Sequence, residues 1–260
     1  MAESRDSAGI NGTHALVLEG VGRSFGALVA LEGISLAVDA GERHAILGAN
    51  GAGKTTLFNV ITGDYRPDKG RVVFFGEDVT ALPPHERIRR GMRRTYQSSI
   101  LFRSLSVADN LYLAACGVTR GRFGFRRPPP SHPNMVRARE LASLAGLADV
   151  VDVAVGDLSH GQQRQLEVGL ALAGAPRMIL FDEPAAGLSP AERRHLIELL
   201  RGLPQYIGYI IIEHDLDVAL RVANKVTVMH QGRIFKQGTP EQIESDAEVQ
   251  AIYLGGAHHG

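Results

Sequence analysis

Two stretches of this chain carry the residue types needed for polyphosphate chemistry. Gly48-Ala49-Asn50-Gly51-Ala52-Gly53-Lys54-Thr55-Thr56 matches the pattern GxxxxGK[ST] in full. Glycines let the backbone curl so that its N–H groups face phosphate oxygens, and a helix opening at the loop adds the positive end of its dipole. Lys54 is placed to reach the β- and γ-phosphates of a nucleotide, and Thr55 to offer its hydroxyl to Mg2+. A Gly-rich turn ahead of a helix is the bland alternative, and the complete match between a buried strand and a helix weighs against it. The second stretch, Met178-Ile179-Leu180-Phe181-Asp182-Glu183, is an apolar strand ending in two acids. Asp182 at the strand end suits Mg2+ held across from the phosphate loop. Glu183, next door, is placed to polarise an attacking water as general base. Many strands end in an acid that merely caps the next element; the pairing with a phosphate loop favours the chemical reading.

These residues need an α/β scaffold, and the hydrophobic pattern predicts one. Ala15 to Leu18, Ile34 to Val38, His44 to Leu47, Arg71 to Phe75, Met178 to Phe181 and Tyr209 to Ile212 read as strands. The continuous apolar runs among them suit central parallel strands covered on both faces. Lys225 to His230 and Arg233 to Lys236 read as a strand pair around Gln231 and Gly232. Lys54 to Thr62 reads as a helix stopped by Gly63. From about Ser106 to Gly174 strand signal is scarce, with helices expected at Ser106 to Ala115 and Met135 to Leu147. Between them, Gly117 to Pro133 is rich in Gly, Arg and Pro and reads as a solvated loop. Thr239, Pro240 and Gln242 form a helix start with a capping box.

The bulk composition excludes several classes. The chain has 260 residues, 44% hydrophobic, with 28 basic and 28 acidic residues and no net charge. That is enough for one large domain or two small ones, and it requires neither a nucleic-acid partner nor an anionic surface. With Cys116 as the only cysteine, no intramolecular disulfide can form. No apolar run approaches the roughly 20 residues of a membrane span. Met1 to Thr13 is polar, lacks a signal-peptide pattern and reads as a loose tail.

Leu158-Ser159-His160-Gly161-Gln162-Gln163 resembles the LSGGQ signature of the ABC ATPases. Ser159 and Gln162 also form an ordinary capping box, and both readings hold together: a capped helix start with a serine hydroxyl and free N–H groups suits a γ-phosphate. On that resemblance Ser159, His160, Gly161 and Gln162 serve ATP held by the opposite subunit, although His160 replaces the commonest glycine and is given no catalytic role. The other motifs of the family follow in order. Phe25 takes the position of the aromatic that stacks on adenine, Gln97 resembles the Q-loop glutamine that senses Mg2+, and His214 resembles the switch histidine at the γ-phosphate. Gly187-Leu188-Ser189 occupies the D-loop, with Ser189 where the family has aspartate.

The resemblance implies a RecA-like P-loop NTPase core (about 15–97 and 175–256), a small antiparallel β subdomain and an inserted helical subdomain (about 98–174), after a tail of 1–14. It implies Mg2+-dependent ATP hydrolysis. Gly48, Asn50, Gly51, Ala52, Gly53, Lys54, Thr55 and Thr56 would bind ATP; Thr55, Gln97 and Asp182 would hold Mg2+; Glu183, His214 and Lys54 would act in catalysis. The implied partners are a second ATPase subunit, identical or related, transmembrane permease subunits and, indirectly, a periplasmic binding protein; the implied place is the cytoplasmic side of the inner membrane. Arg94-Thr95-Tyr96-Gln97, Glu213-His214-Asp215 and Ala251-Ile252-Tyr253-Leu254-Gly255 are similar to the ATPase subunits of Liv-type branched-chain amino-acid importers. Urea or amide importers and lipopolysaccharide export are the neighbouring alternatives. A non-transport ABC ATPase is the rival of a different class; the chain lacks the long coiled coil of repair members and the second cassette of translation members.

Overall fold

The computed structural model describes residues 14–95, 101–118 and 128–255. The chain opens with two long antiparallel strands, β1 (His14–Phe25) and β2 (Leu28–Asp39), and then enters a central strand, β3 (Arg43–Leu47). Helix α1 (Lys54–Thr62) follows the phosphate loop, ahead of β4 (Lys69–Phe74), β5 (Glu77–Asp78), α2 (Pro84–Arg89) and β6 (Met92–Arg94). Helices α3 (Val107–Val118), α4 (Pro133–Leu144) and α5 (His160–Leu172) come next; the only strand pairing in this stretch among the described residues is an isolated bridge between Ser106 and Ala154. The chain then returns through β7 (Met178–Asp182), α6 (Pro190–Gly202), β8 (Gly208–Ile212), α7 (Leu216–Val222), β9 (Lys225–His230), β10 (Arg233–Gly238), α8 (Pro240–Glu244) and α9 (Ala247–Gly255).

The strands form two sheets. A four-stranded antiparallel sheet runs β2-β1-β4-β5, and a six-stranded sheet runs β10-β9-β3-β8-β7-β6. In the larger sheet every neighbouring pair is parallel except β9 with β10. Side chains alternate across it, as a strand demands. Ala45, Leu47, Ile179, Phe181, Tyr209 and Ile211 pack on the side of α3 to α7. Ile46, Met178, Leu180, Ile210 and Ile212 pack on the other side, against α1 and the antiparallel sheet. This alternation aims the site acids. Asp182 continues the series 178, 180 toward α1, whereas Glu213 continues 209, 211 toward the helical side.

The sequence underestimates β1 and β2, each 12 residues long. Register shifts break their ladder at several points, so the apolar alternation that marks a strand is interrupted. It also passes over the short elements β5, β6, α2 and α7, and over the longer α6.

Candidate active site

The phosphate loop is built between the ends of β3 and α1. Gly53 is the residue before α1 and has φ +98°, a left-handed conformation that a side chain resists. It is also pressed against β2: a Cβ there would lie 2.6 Å from the Ala30 carbonyl oxygen. The hairpin between β9 and β10 clamps the loop from the side, with the Gly232 N–H donating to the Ala52 carbonyl at 3.0 Å. Gln231 and Gly232 both have positive φ, as a tight hairpin turn requires. They line the cleft described below, a placement that the sequence, read only as a turn, did not signal.

Lys54 is buried, and its ammonium donates to the carbonyls of Gly48 at 2.6 Å and Ala49 at 3.1 Å. Burial pulls its pKa down, and the charges of Glu183, Asp182 and Glu213 oppose that shift. A lysine with three carboxylates in its field and only neutral carbonyls in contact is suited to gain a phosphate oxygen.

Asp182, at the end of β7, is almost fully buried and accepts a charged hydrogen bond from Arg94 at 3.0 Å. Arg94 also donates to Asp64 at 2.8 Å and to Asn59 at 2.7 Å, and lies over the Phe58 ring. Sequence reasoning used Arg94 only as a flank of Gln97; its role in fixing Asp182 is visible from the fold alone. Glu183 follows with φ +46°, a conformation that costs a non-glycine residue and that recurs at functional turns. Its N–H is tied to the Ile212 carbonyl at 2.9 Å, and its carboxylate lies 3.7 Å from the His214 Nδ1.

The phosphate loop, Glu183 and the β9–β10 turn share one cleft of about 460 Å³, lined by Phe25, Asn50 to Thr56, Glu183, Gln231 and Gly232; Asp182 and His214 are not among its lining residues. That volume suits a small-molecule ligand. Phe25 is exposed at its rim, packed edge-on against Tyr65 and under the Arg23 guanidinium. Gly48 lies outside the lining, where a Cβ would meet the Met229 carbonyl oxygen at 2.5 Å; it allows the close passage of two backbones. The chemistry of the donor set fits Mg2+. Among the described residues no group of three His, Cys, Asp or Glu side chains could hold a metal, so the site is no all-protein cage. It offers oxygens from Thr55 and Asp182 and leaves the remaining positions to phosphate and water, the usual habit of Mg2+.

Ser159, Gly161 and Gln162 line a separate cleft with Gly146, Glu192 and His195. Ser159 caps α5: its hydroxyl accepts from the Gln162 N–H at 3.2 Å, and the Gln162 side chain accepts from the Ser159 N–H at 2.9 Å. The phosphate loop and this capped turn therefore lie in different clefts of one chain. Gln97 and the start of the segment after it, residues 98–100, lie outside the described residues. No helix among the described residues is long and apolar enough to cross a membrane.

Residues 31–186 match the family model described as ABC transporter. The chain is 34% identical over 250 residues to the high-affinity branched-chain amino acid transport ATP-binding protein BraF of Pseudomonas aeruginosa, covering 93% of this chain and 98% of that one. It is 35% identical over 234 residues to the lipopolysaccharide export system ATP-binding protein LptB of Acidithiobacillus ferridurans, covering 90% and 93%. The crystal structure of the ADP conformation of MJ1267, an ATP-binding cassette of an ABC transporter, superposes with a TM-score of 0.81 at 32% identity, covering 93% of this chain and 99% of that one. With a matched family model, this coverage and a shared fold, the chain belongs to the ABC transporter family, as one of its ATP-binding cassettes.

Proposed function

We propose that this chain is the ATP-hydrolysing subunit of an importer for branched-chain amino acids, working as one half of a head-to-tail pair of cassettes. The observation that carries the hydrolytic part is the meeting of Lys54 and Glu183 in one cleft, from stretches far apart in sequence. ATP lies in this cleft with adenine on Phe25 and its phosphates in the loop of Gly48 to Thr56. Thr55 and Asp182, with Gln97, hold Mg2+, which neutralises phosphate charge when bound. Glu183 takes a proton from the attacking water, and His214, beside it, contacts the γ-phosphate.

The second half of each site comes from the other cassette. Because Ser159, Gly161 and Gln162 line a cleft apart from the phosphate loop, this turn is the part that meets ATP held by a second subunit, identical or related. Binding closes the pair and hydrolysis reopens it, a cycle relayed to permease subunits at the cytoplasmic face of the inner membrane through the helical subdomain of about 98–174.

The amino-acid reading is supported by the similarity to BraF, and the rival reading, lipopolysaccharide export, by that to LptB. The former relative aligns over more of this chain. Uptake of labelled leucine, isoleucine and valine by cells carrying Glu183→Gln tests the choice. Loss of uptake supports import. Normal uptake with lipopolysaccharide retained at the inner membrane supports export.

A further inference from the structure

Ser189 stands where the related motif carries an aspartate, and its surroundings give the position a different task. It caps α6, and its capping partner is Glu192. Glu192 Oε2 accepts from the Ser189 N–H at 3.0 Å and from the Ser189 hydroxyl at 2.8 Å. The other oxygen reaches a different helix: Glu192 Oε1 accepts from the Gly161 N–H, in the first turn of α5, at 2.9 Å. One carboxylate thus fastens the starts of two helices, and these three donors hold its pKa below the usual carboxylate value.

The approach is close enough to dictate a residue type. A Cβ at Gly161 would lie 2.7 Å from Glu192 Cγ and Oε1. Gly161 is not among the positive-φ glycines, so its missing side chain serves this contact and not a backbone conformation. The same loop meets the same turn again where a Cβ on Gly187 would lie 3.5 Å from the His160 Nε2. That loop begins at Glu183.

We propose that Glu192 is a positioning residue that couples the turn of Ser159 to Gln162 to the loop carrying this chain's own Glu183, by yielding the Gly161 N–H to the γ-phosphate of ATP held on a second copy of this chain. The inference rests on the proposed head-to-tail pairing, in which each ATP is sandwiched between two cassettes. The Gly161 N–H is a single directed donor, and a carboxylate and a phosphate cannot both sit on it without repulsion. When the phosphate takes it, Glu192 keeps both Ser189 donors, so the carboxylate swings toward α6 without loss of the cap. Arrival of the partner's nucleotide is thereby registered at Ser189, in the loop that starts at Glu183.

The test measures dimer formation of the full chain against ATP concentration, with Mg2+, by sedimentation in the Glu183→Gln background. Adding Glu192→Gln keeps the size and one acceptor oxygen but removes the charge that opposes the phosphate. The ATP concentration at half-dimerisation is expected to fall about tenfold, the scale of one competing charged hydrogen bond. A merely structural contact, once weakened, would leave that midpoint unchanged or raise it, and either result with an unaltered Tm overturns the proposal. Ser189→Ala supplies an independent arm should Glu192→Gln fail to fold. It removes a donor from the far side of the carboxylate and leaves the charge, so the midpoint is expected to rise; an unchanged or lower midpoint overturns the exchange. Glu183→Gln alone remaining monomeric at every ATP concentration would instead remove the sandwich reading itself.

Discussion

The buried carboxylate of Glu213 accepts the backbone N–H of Ala185 at 2.9 Å, tying the end of β8 to the turn that follows Glu183. Its second oxygen is buried with no hydrogen-bond partner among the described residues. Burial pushes the Glu213 pKa up to about 7 from the ordinary 4.5; the Ala185 N–H and His214 oppose the shift, and the carboxylates of Glu183 and Asp215 add to it. The folded protein therefore keeps this proton across a range in which the unfolded chain has lost it. Stability from the neutral acid is complete below pH 4.5 and is lost as pH rises through about 7. The shift is worth about 3 kcal/mol. Glu213→Gln is neutral throughout, so its stability relative to the wild type is expected to improve between pH 5 and pH 8. Urea denaturation at both pH values checks this, and a constant difference would contradict it.

Lys54 and Glu183 share a cleft but have separable tasks. Lys54→Ala removes the cation from the phosphates and is expected to weaken ATP binding by about tenfold or more, with turnover lost as well. Glu183→Gln keeps shape and hydrogen bonding but supplies a poor base. Turnover is expected to fall by roughly 10²- to 10⁴-fold with ATP affinity retained. Equilibrium binding of a fluorescent ATP analogue, set beside phosphate release, separates the two. Wild-type hydrolysis by Glu183→Gln would remove the base assignment.

The sandwich makes a complementation prediction. Ser159→Arg places a long cation in the turn and is expected to block closure while leaving ATP affinity of the single subunit intact. Mixed with Lys54→Ala, it should recover part of the activity, because one of the two composite sites then has an intact phosphate loop and an intact turn. Phosphate release from the mixture, against each variant alone, is the measurement. Loss of ATP affinity in isolated Ser159→Arg would place the serine in its own nucleotide pocket.

Local chemistry made most of this site legible in the sequence. The phosphate loop, the acids after β7 and the capping box at Ser159 are contiguous, and each is defined by a spacing that local backbone geometry demands. What escaped notice depends on contacts between distant segments. Arg94 reaches Asp182 across 88 positions, and Gln231 and Gly232 enter the cleft only because β9 pairs with β3. Glu213 read as a polar flank of His214, since nothing in its neighbours announces that the strand end is buried. The fold divides the same way. Continuous apolar runs revealed the central parallel strands, whereas the bulged β1 and β2 and the two-residue β5 have no clean period to read.

Arg87 shows how stability is invested behind the phosphate loop. Buried on α2, it donates to the carbonyls of Val60 and Ile61 in the last turn of α1 at 2.7 and 2.6 Å. It also donates to the carbonyls of Leu82 and Thr80. Burial pushes its pKa down to about 10, so it remains a cation at neutral pH, at the helix end that favours one. Arg87→Met keeps the stem and leaves four carbonyls without this donor. The expected cost is about 3 kcal/mol. At this chain length that is a fall of roughly 6–12 °C in Tm, read by differential scanning calorimetry. A loss within a degree of wild type would show that water or another donor replaces the guanidinium.

Phe102 is the side chain expected to dock a permease subunit. Residues 101–105 precede α3, where the helical stretch begins, and they split into two characters. Leu101 is half-buried against the core, whereas Phe102 is 52% exposed. The exposure is not a fraying end. The Phe102 N–H donates to the Asn110 side chain at 3.0 Å, and that side chain donates back to the Phe102 carbonyl at 3.1 Å. Asn110 is itself buried. A backbone so held presents its aromatic ring to solvent at a fixed place, as an interface anchor requires. Phe102→Asp is therefore expected to leave Tm and ATP affinity of the isolated subunit near wild type and to abolish co-purification with the permease subunits. Asn110→Ala should weaken the same association by releasing the loop, with some loss of Tm because the backbone groups it satisfies lose a partner. Unfolding of Phe102→Asp would mark the ring as core, and normal co-purification with transport would place the docking surface elsewhere on the chain.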